Sequence, residues 1–87
     1  MEIDPNNAFA LKVRGATFRL MNRYRSALND LNKSLKIEPN NSDALKFRGE
    51  VYCKLGRNDE SLADLNKSLE LEPNNVFALN NRGLTYK

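Results

Sequence analysis

The sequence predicts an all-α fold, a stack of antiparallel helix pairs, and three observations carry that expectation. The tripeptide Pro-Asn-Asn begins at Pro5, Pro39 and Pro73, 34 residues apart each time. Aligned on it, residues 3–36 and 37–70 are identical at 17 of 34 positions, and residues 71–87 open a third copy that stops halfway. Within each copy the apolar residues recur at spacings of three and four, the period of one helical face, in two blocks parted by a break.

Five helices follow in order. Leu11, Gly15 and Phe18 define the first, near 7–20, and the chain breaks near Asn22. Leu28, Leu31 and Leu35 define the second, near 24–36. Ile37-Glu38-Pro39 ends the unit, because proline disfavours the helical conformation of the residue before it. The second unit repeats the plan with Leu45, Gly49 and Tyr52 near 41–54, a break at Gly56, then Leu62, Leu65 and Leu69 near 58–70. It ends at Leu71-Glu72-Pro73, and a fifth helix is expected near 75–86. Asn41 and Asn75 stand where a side-chain oxygen can cap the helix that follows.

Gly15, Gly49 and Gly83 fall inside these helices, each at a cost of roughly 1 kcal/mol relative to alanine. A cost taken at one place in every copy points to two helices crossing too closely for a side chain. Ala27 and Ser61, small residues on the second helix of each unit, are the expected facing partners.

Across essentially its whole length the chain resembles the tetratricopeptide repeat family. Leu11, Arg14-Gly15, Phe18, Ala27, Leu31 and Pro39 follow the family's spacing in the first copy. Leu45, Arg48-Gly49, Tyr52, Ser61, Leu65 and Pro73 follow it in the second, and Leu79, Arg82-Gly83 and Tyr86 in the half-copy. Leucine stands where the family has tryptophan, arginine precedes the glycine where an apolar residue is usual, and Ser34, Ser61 and Ser68 replace alanine. Arg14, Arg48 and Arg82 recur in register, as do Asp30 and Asp64 on the second helices. They read as an ion pair between packed helices; the alternative is an arginine row that holds a ligand carboxylate or phosphate.

Composition removes other functions. The chain contains no histidine, which takes away the commonest general base and the commonest metal ligand together. Its serines have nothing to activate them, and no glycine-rich loop offers an oxyanion site, so no enzyme, cofactor or metal is expected. Cys53 is the single cysteine and cannot close an intramolecular disulfide, which points weakly to a reducing, cytoplasmic setting. No apolar run approaches the ~20 residues of a membrane-spanning helix, and no secretory signal pattern opens the chain. A net charge of +3 with interleaved signs mildly favours acidic partners without forming a nucleic-acid stripe.

The resemblance implies a right-handed α-solenoid with the first helix of each unit lining a concave groove that binds extended peptides. Phe9, Lys12, Val13, Ala16 and Arg19 would face inward from the first helix, and Asp43, Lys46, Phe47, Glu50 and Lys54 from the third. Phe77, Asn80, Asn81 and Leu84 would complete the face from the fifth. The phenylalanines suit apolar anchors and the lysines suit carboxylates, so the expected partner is a protein or peptide with acidic or carboxylate features. Chaperone-binding members carry a two-carboxylate clamp of lysine, asparagine, asparagine, lysine and arginine. Here those places hold Lys12, Ala16, Phe47, Phe77 and Asn81, so the clamp is not expected to operate.

Two alternatives stand beside the groove. Residues 1–87 read as one array, a piece of a longer one, with Ile3-Asp4-Pro5 as the tail of a preceding unit and Met1 as an initiating residue. Leu79, Leu84 and Tyr86 would then be partly exposed, and the chain could act as a scaffold that pairs into a homodimer, by end contacts or by helix exchange at the Asn22 or Gly56 turn. RNA binding is the remoter alternative, because Asp43 and Glu50 interrupt the basic surface.

Overall fold

The computed structural model describes residues 4–86, and of Tyr86 the backbone alone. The expected places of Met1, Ile3, Lys87 and the Tyr86 side chain lie outside the described residues. Five helices form: α1 (Ala8–Leu20), α2 (Tyr24–Ile37), α3 (Ser42–Lys54), α4 (Asn58–Leu71) and α5 (Val76–Tyr86). Each boundary falls within one residue of the periodicity's expectation.

The local chemistry explains the boundaries. Asn7, Asn41 and Asn75 each accept a backbone N–H three residues on, from Ala10, Ala44 and Ala78, at 3.0, 3.1 and 3.1 Å. These bonds satisfy one orphan donor at the start of α1, α3 and α5. No side chain caps α2 or α4, whose entrances are set by left-handed residues instead: Asn22 at φ 60 and Gly56 at φ 76. Asparagine and glycine are the residues that reach this region at least cost, which is why the break falls on them.

In one layer α3 touches α1 on one side and α5 on the other. In the other layer α2 packs between α1 and α3, and α4 between α3 and α5, while the backbones of α2 and α4 do not meet. A closed row opposite a splayed row makes the α1/α3/α5 side the concave one. The interior is filled by Ala27, Leu31, Leu35, Ala44, Leu45 and Val51, and beyond them by Leu65, Leu69 and Ala78. Leu11 and Leu45, in the family's tryptophan place, are buried.

The glycines mark the closest crossings, and the partner differs from the expected one. A Cβ on Gly15 would lie 2.8 Å from Leu31 Cγ, and one on Gly49 2.7 Å from Leu65 Cγ. The carbonyl oxygens of Ala27 and Ser61 lie a little further off, at 3.3 Å, because the bulky leucine one turn on reaches over the glycine while the small side chain lets the backbones close in. Gly83 has nothing within 4 Å among the described residues.

Beside each crossing the arginine of α1 or α3 grips the aspartate of α2 or α4. Arg14 donates to both Asp30 oxygens at 2.6 and 2.8 Å, and Arg48 to both Asp64 oxygens at 2.7 Å. Asp30 and Asp64 are buried, so each carboxylate exchanges water for a two-pronged, charge-assisted pair. The hydrogen bonds from the aspartates raise both guanidinium pKa values above their usual range, with burial opposing. Arg82, third in the series, meets Asn66 Oδ1 at 3.3 Å. The serines that replace alanine are buried and satisfied: Ser34 Oγ donates to Ala8 O, Ser68 Oγ to Ser42 O and Ser61 Oγ to Gly49 O, at 2.8, 3.0 and 2.8 Å. Each ties one helix to its neighbour where alanine would only fill space.

Two glycine substitutions should move stability in opposite directions. Gly49→Ala gains helix propensity but drives a methyl into Leu65, and a net loss of about 1–2 kcal/mol is expected. Gly83→Ala meets open space and should gain up to about 1 kcal/mol. Urea denaturation of the three proteins checks both signs.

Candidate functional site

The concave face is built at the seams where α1 meets α3 and α3 meets α5. At the first seam Asp43 receives two lysines: Lys12 Nζ at 3.8 Å and Lys46 Nζ at 3.0 Å. Two turns along, Arg19 Nη1 donates to Glu50 Oε1 at 2.5 Å. At the second seam the rings of Phe47 and Phe77 meet edge to face, with centroids 5.7 Å apart and planes at 82°.

Cations gather over those rings. The Arg19 guanidinium lies 4.6 Å from the Phe47 centroid and 5.3 Å from that of Phe77, and Lys46 Nζ lies at 5.3 and 5.5 Å. Asn81 donates to Phe77 O at 3.0 Å and reaches Glu50 Oε2 at 3.5 Å. Arg19 Nε is buried with no hydrogen-bond partner among the described residues, a donor left over in the middle of the face.

Eight of the residues singled out from the sequence thus form one connected cluster: Lys12, Arg19, Asp43, Lys46, Phe47, Glu50, Phe77 and Asn81. Phe9 joins its edge through Lys12 Nζ, 5.0 Å from the ring, and is itself 67% exposed. Val13 and Leu84 stand exposed at the margin with Lys54 and Asn80, and Ala16 is half-buried between α1 contacts. The expectation that Asp43 and Glu50 merely interrupt the basic surface needs refinement. Each is the centre of an ion pair that fixes neighbouring cations in place.

The cluster holds Lys12, Arg19 and Lys46 against Asp43 and Glu50, a local charge of +1 from three cations and two anions. Asp43 is 44% exposed, so its pairs with the lysines sit in water-like dielectric, where such pairs contribute under about 1 kcal/mol. A ligand carboxylate can exchange with Asp43 at little cost. At the end of the array, Leu79 is 40% and Leu84 53% exposed.

Sequence reasoning missed two features. Thr85 is buried on α5 with its hydroxyl 3.1 Å from Ser61 Oγ; the signal was a threonine in the register that Val51 fills with an apolar side chain. The second is on α2, whose exposed charges Arg25, Lys33 and Lys36 are all basic, while its one acid, Asp30, is buried.

The comparisons agree with this architecture. A family model described as TPR repeat matches residues 49–87. Among solved structures, the first TPR of Spaghetti (RPAP3) bound to the HSP90 peptide SRMEEVD superposes with a TM-score of 0.90 at 26% identity. That match covers 95% of this chain and 66% of the other. The second TPR domain of the human RPAP3 protein, in complex with the HSP70 peptide SGPTIEEVD, gives 0.89 at 26% identity over 97% and 70% of the two chains. The chain thus spans about two thirds of the length of these relatives. No curated protein matches the sequence. The repeat, the helix order and these likenesses together support assignment to the tetratricopeptide repeat family.

Proposed function

We propose that this chain is a peptide-binding interaction module whose ligand lies extended along the α1/α3/α5 face. The observation that carries the reading is the Phe47–Phe77 pair with Arg19 laid over both rings and its Nε left without an acceptor. An apolar ligand side chain packs on the rings, and a ligand carboxylate exchanges with Asp43 at Lys12 and Lys46. The peptides bound by the two relatives end in Glu-Glu-Val-Asp, which supports an acidic ligand class.

The chemistry of recognition differs from a two-carboxylate clamp. At the five clamp places this chain puts Lys12, Ala16, Phe47, Phe77 and Asn81, two of them aromatic rings that touch each other. Rings at the centre favour an internal segment with an apolar anchor over a terminal carboxylate alone. A displayed random-peptide selection should therefore enrich a motif pairing an apolar residue with an acidic one. The motif should be lost on a Lys12→Glu, Lys46→Glu, Phe47→Ala variant, and the chaperone tail peptide should bind no tighter than micromolar. Enrichment that survives in the variant, or submicromolar binding of the tail, would contradict this reading.

A second reading rests on the α5 end. Among the described residues nothing lies within 4 Å of a Cβ on Gly83, where Gly15 and Gly49 each take a leucine, and Leu79 and Leu84 are exposed beside it. That surface suits association with a second copy, and the scaffold reading requires dimer in sedimentation at high concentration. A monomer throughout removes it.

A further inference from the structure

A cleft also opens on the side of the molecule away from the concave face. Because α2 and α4 do not meet, a groove runs between them with α3 as its floor. Two cavities of about 520 and 390 Å³ occupy it and share Asn32 in their walls. The larger is bounded by Arg25 and Arg57 at the start of the two helices, the smaller by Lys36 and Lys67 toward their ends. Because α2 and α4 run parallel, these cations fall in two pairs, one at each end of the groove.

We propose that this α2/α4 groove is a second binding site, and that its occupant is an extended acidic peptide segment. Charge carries the first part. Arg25, Lys36 and Lys67 make no ion pair among the described residues. Asp64, the acid in the lining, is engaged by Arg48 at 2.7 Å, and Glu60 pairs with the exposed Arg57 at 2.9 Å. The groove lining therefore sets cations at both ends against a single, already engaged acid, whereas the concave face sets Asp43 and Glu50 against its three cations.

The lining selects the class of polyanion. Leu28, Leu35, Leu45 and Leu55 supply an apolar floor, and Asn29 and Asn32 supply carboxamides. Asn32 Oδ1 accepts from Arg48 at 3.0 Å, which turns its NH2 group outward as a donor. Apolar floor, amides and terminal cations match a peptide backbone with alternating apolar and acidic side chains. Neither cavity is lined by an aromatic ring, so the stacking platform that single-stranded RNA requires is missing. Residues 25 and 36 are eleven positions apart on one helix, about 16 Å, the reach of about five extended residues.

The test uses a fluorescein-labelled ten-residue peptide that alternates glutamate and leucine, read by anisotropy. The parent should bind it, and Lys36→Glu with Lys67→Glu, or Arg25→Glu with Arg57→Glu, should weaken it at least tenfold. All four side chains are exposed, so the variants keep the fold, as circular dichroism melts will confirm. All arms are measured in the Lys12→Glu, Lys46→Glu, Phe47→Ala background, where the concave face no longer holds an apolar–acidic segment, so the signal read is that of the α2/α4 groove. Absence of binding at 1 mM peptide in that background overturns the proposal, as does binding that both charge reversals leave within twofold. A ten-nucleotide RNA that binds more tightly than the peptide overturns the class of partner.

Discussion

Each helix pair is held by one compact arrangement: a glycine with no room above it, the leucine that fills that room, and an arginine clasping a buried aspartate alongside. In the second unit these are Gly49, Leu65, Arg48 and Asp64. The three contacts constrain one another. Without a side chain on Gly49 the helices approach closely enough for Leu65 to sit over the backbone. That closeness brings the guanidinium within two-pronged reach of a carboxylate which would otherwise be buried without a partner. Burying a lone carboxylate costs several kcal/mol, so the arginine that departs from the family pattern and the aspartate facing it belong together.

The crossing also decides what the concave face can display. With the pairs fixed, α1, α3 and α5 lie side by side, and the residues on their inner surfaces meet across the seams. Phe47 reaches Phe77, Arg19 reaches Glu50, and Lys12 reaches Asp43. None of these pairs is close in sequence, and each depends on adjacent units keeping the same tilt. The outer row is splayed by the same geometry. One face is consequently aromatic with balanced charge, and the opposite groove is aliphatic and basic.

Most of the fold was legible because the repeat states it twice and a half. Periodicity placed the helices, Pro39 and Pro73 placed the ends, and the recurrence of Arg14 and Asp30 sixteen residues apart foretold their pairing. What the pattern could not supply was reach. It named Ala27 and Ser61 as the glycine partners, whereas a leucine one turn further along extends to the crossing. The face was legible residue by residue and not as a network. Sequence spacing shows that Phe47 and Phe77 point the same way, but their edge-to-face contact and the stranded Arg19 Nε depend on the tilt between units. The α2/α4 groove was hidden for another reason: it arises from two helices failing to touch, which no periodicity encodes.

The most direct measurement is amide chemical-shift mapping by NMR as an enriched apolar–acidic peptide is titrated into the labelled chain. The account predicts the largest shifts at Arg19, Lys46, Phe47 and Phe77, with the side-chain amide of Asn81 moving alongside them. Shifts confined to the exposed end of α5, with the Phe47 and Phe77 signals unmoved, would contradict it.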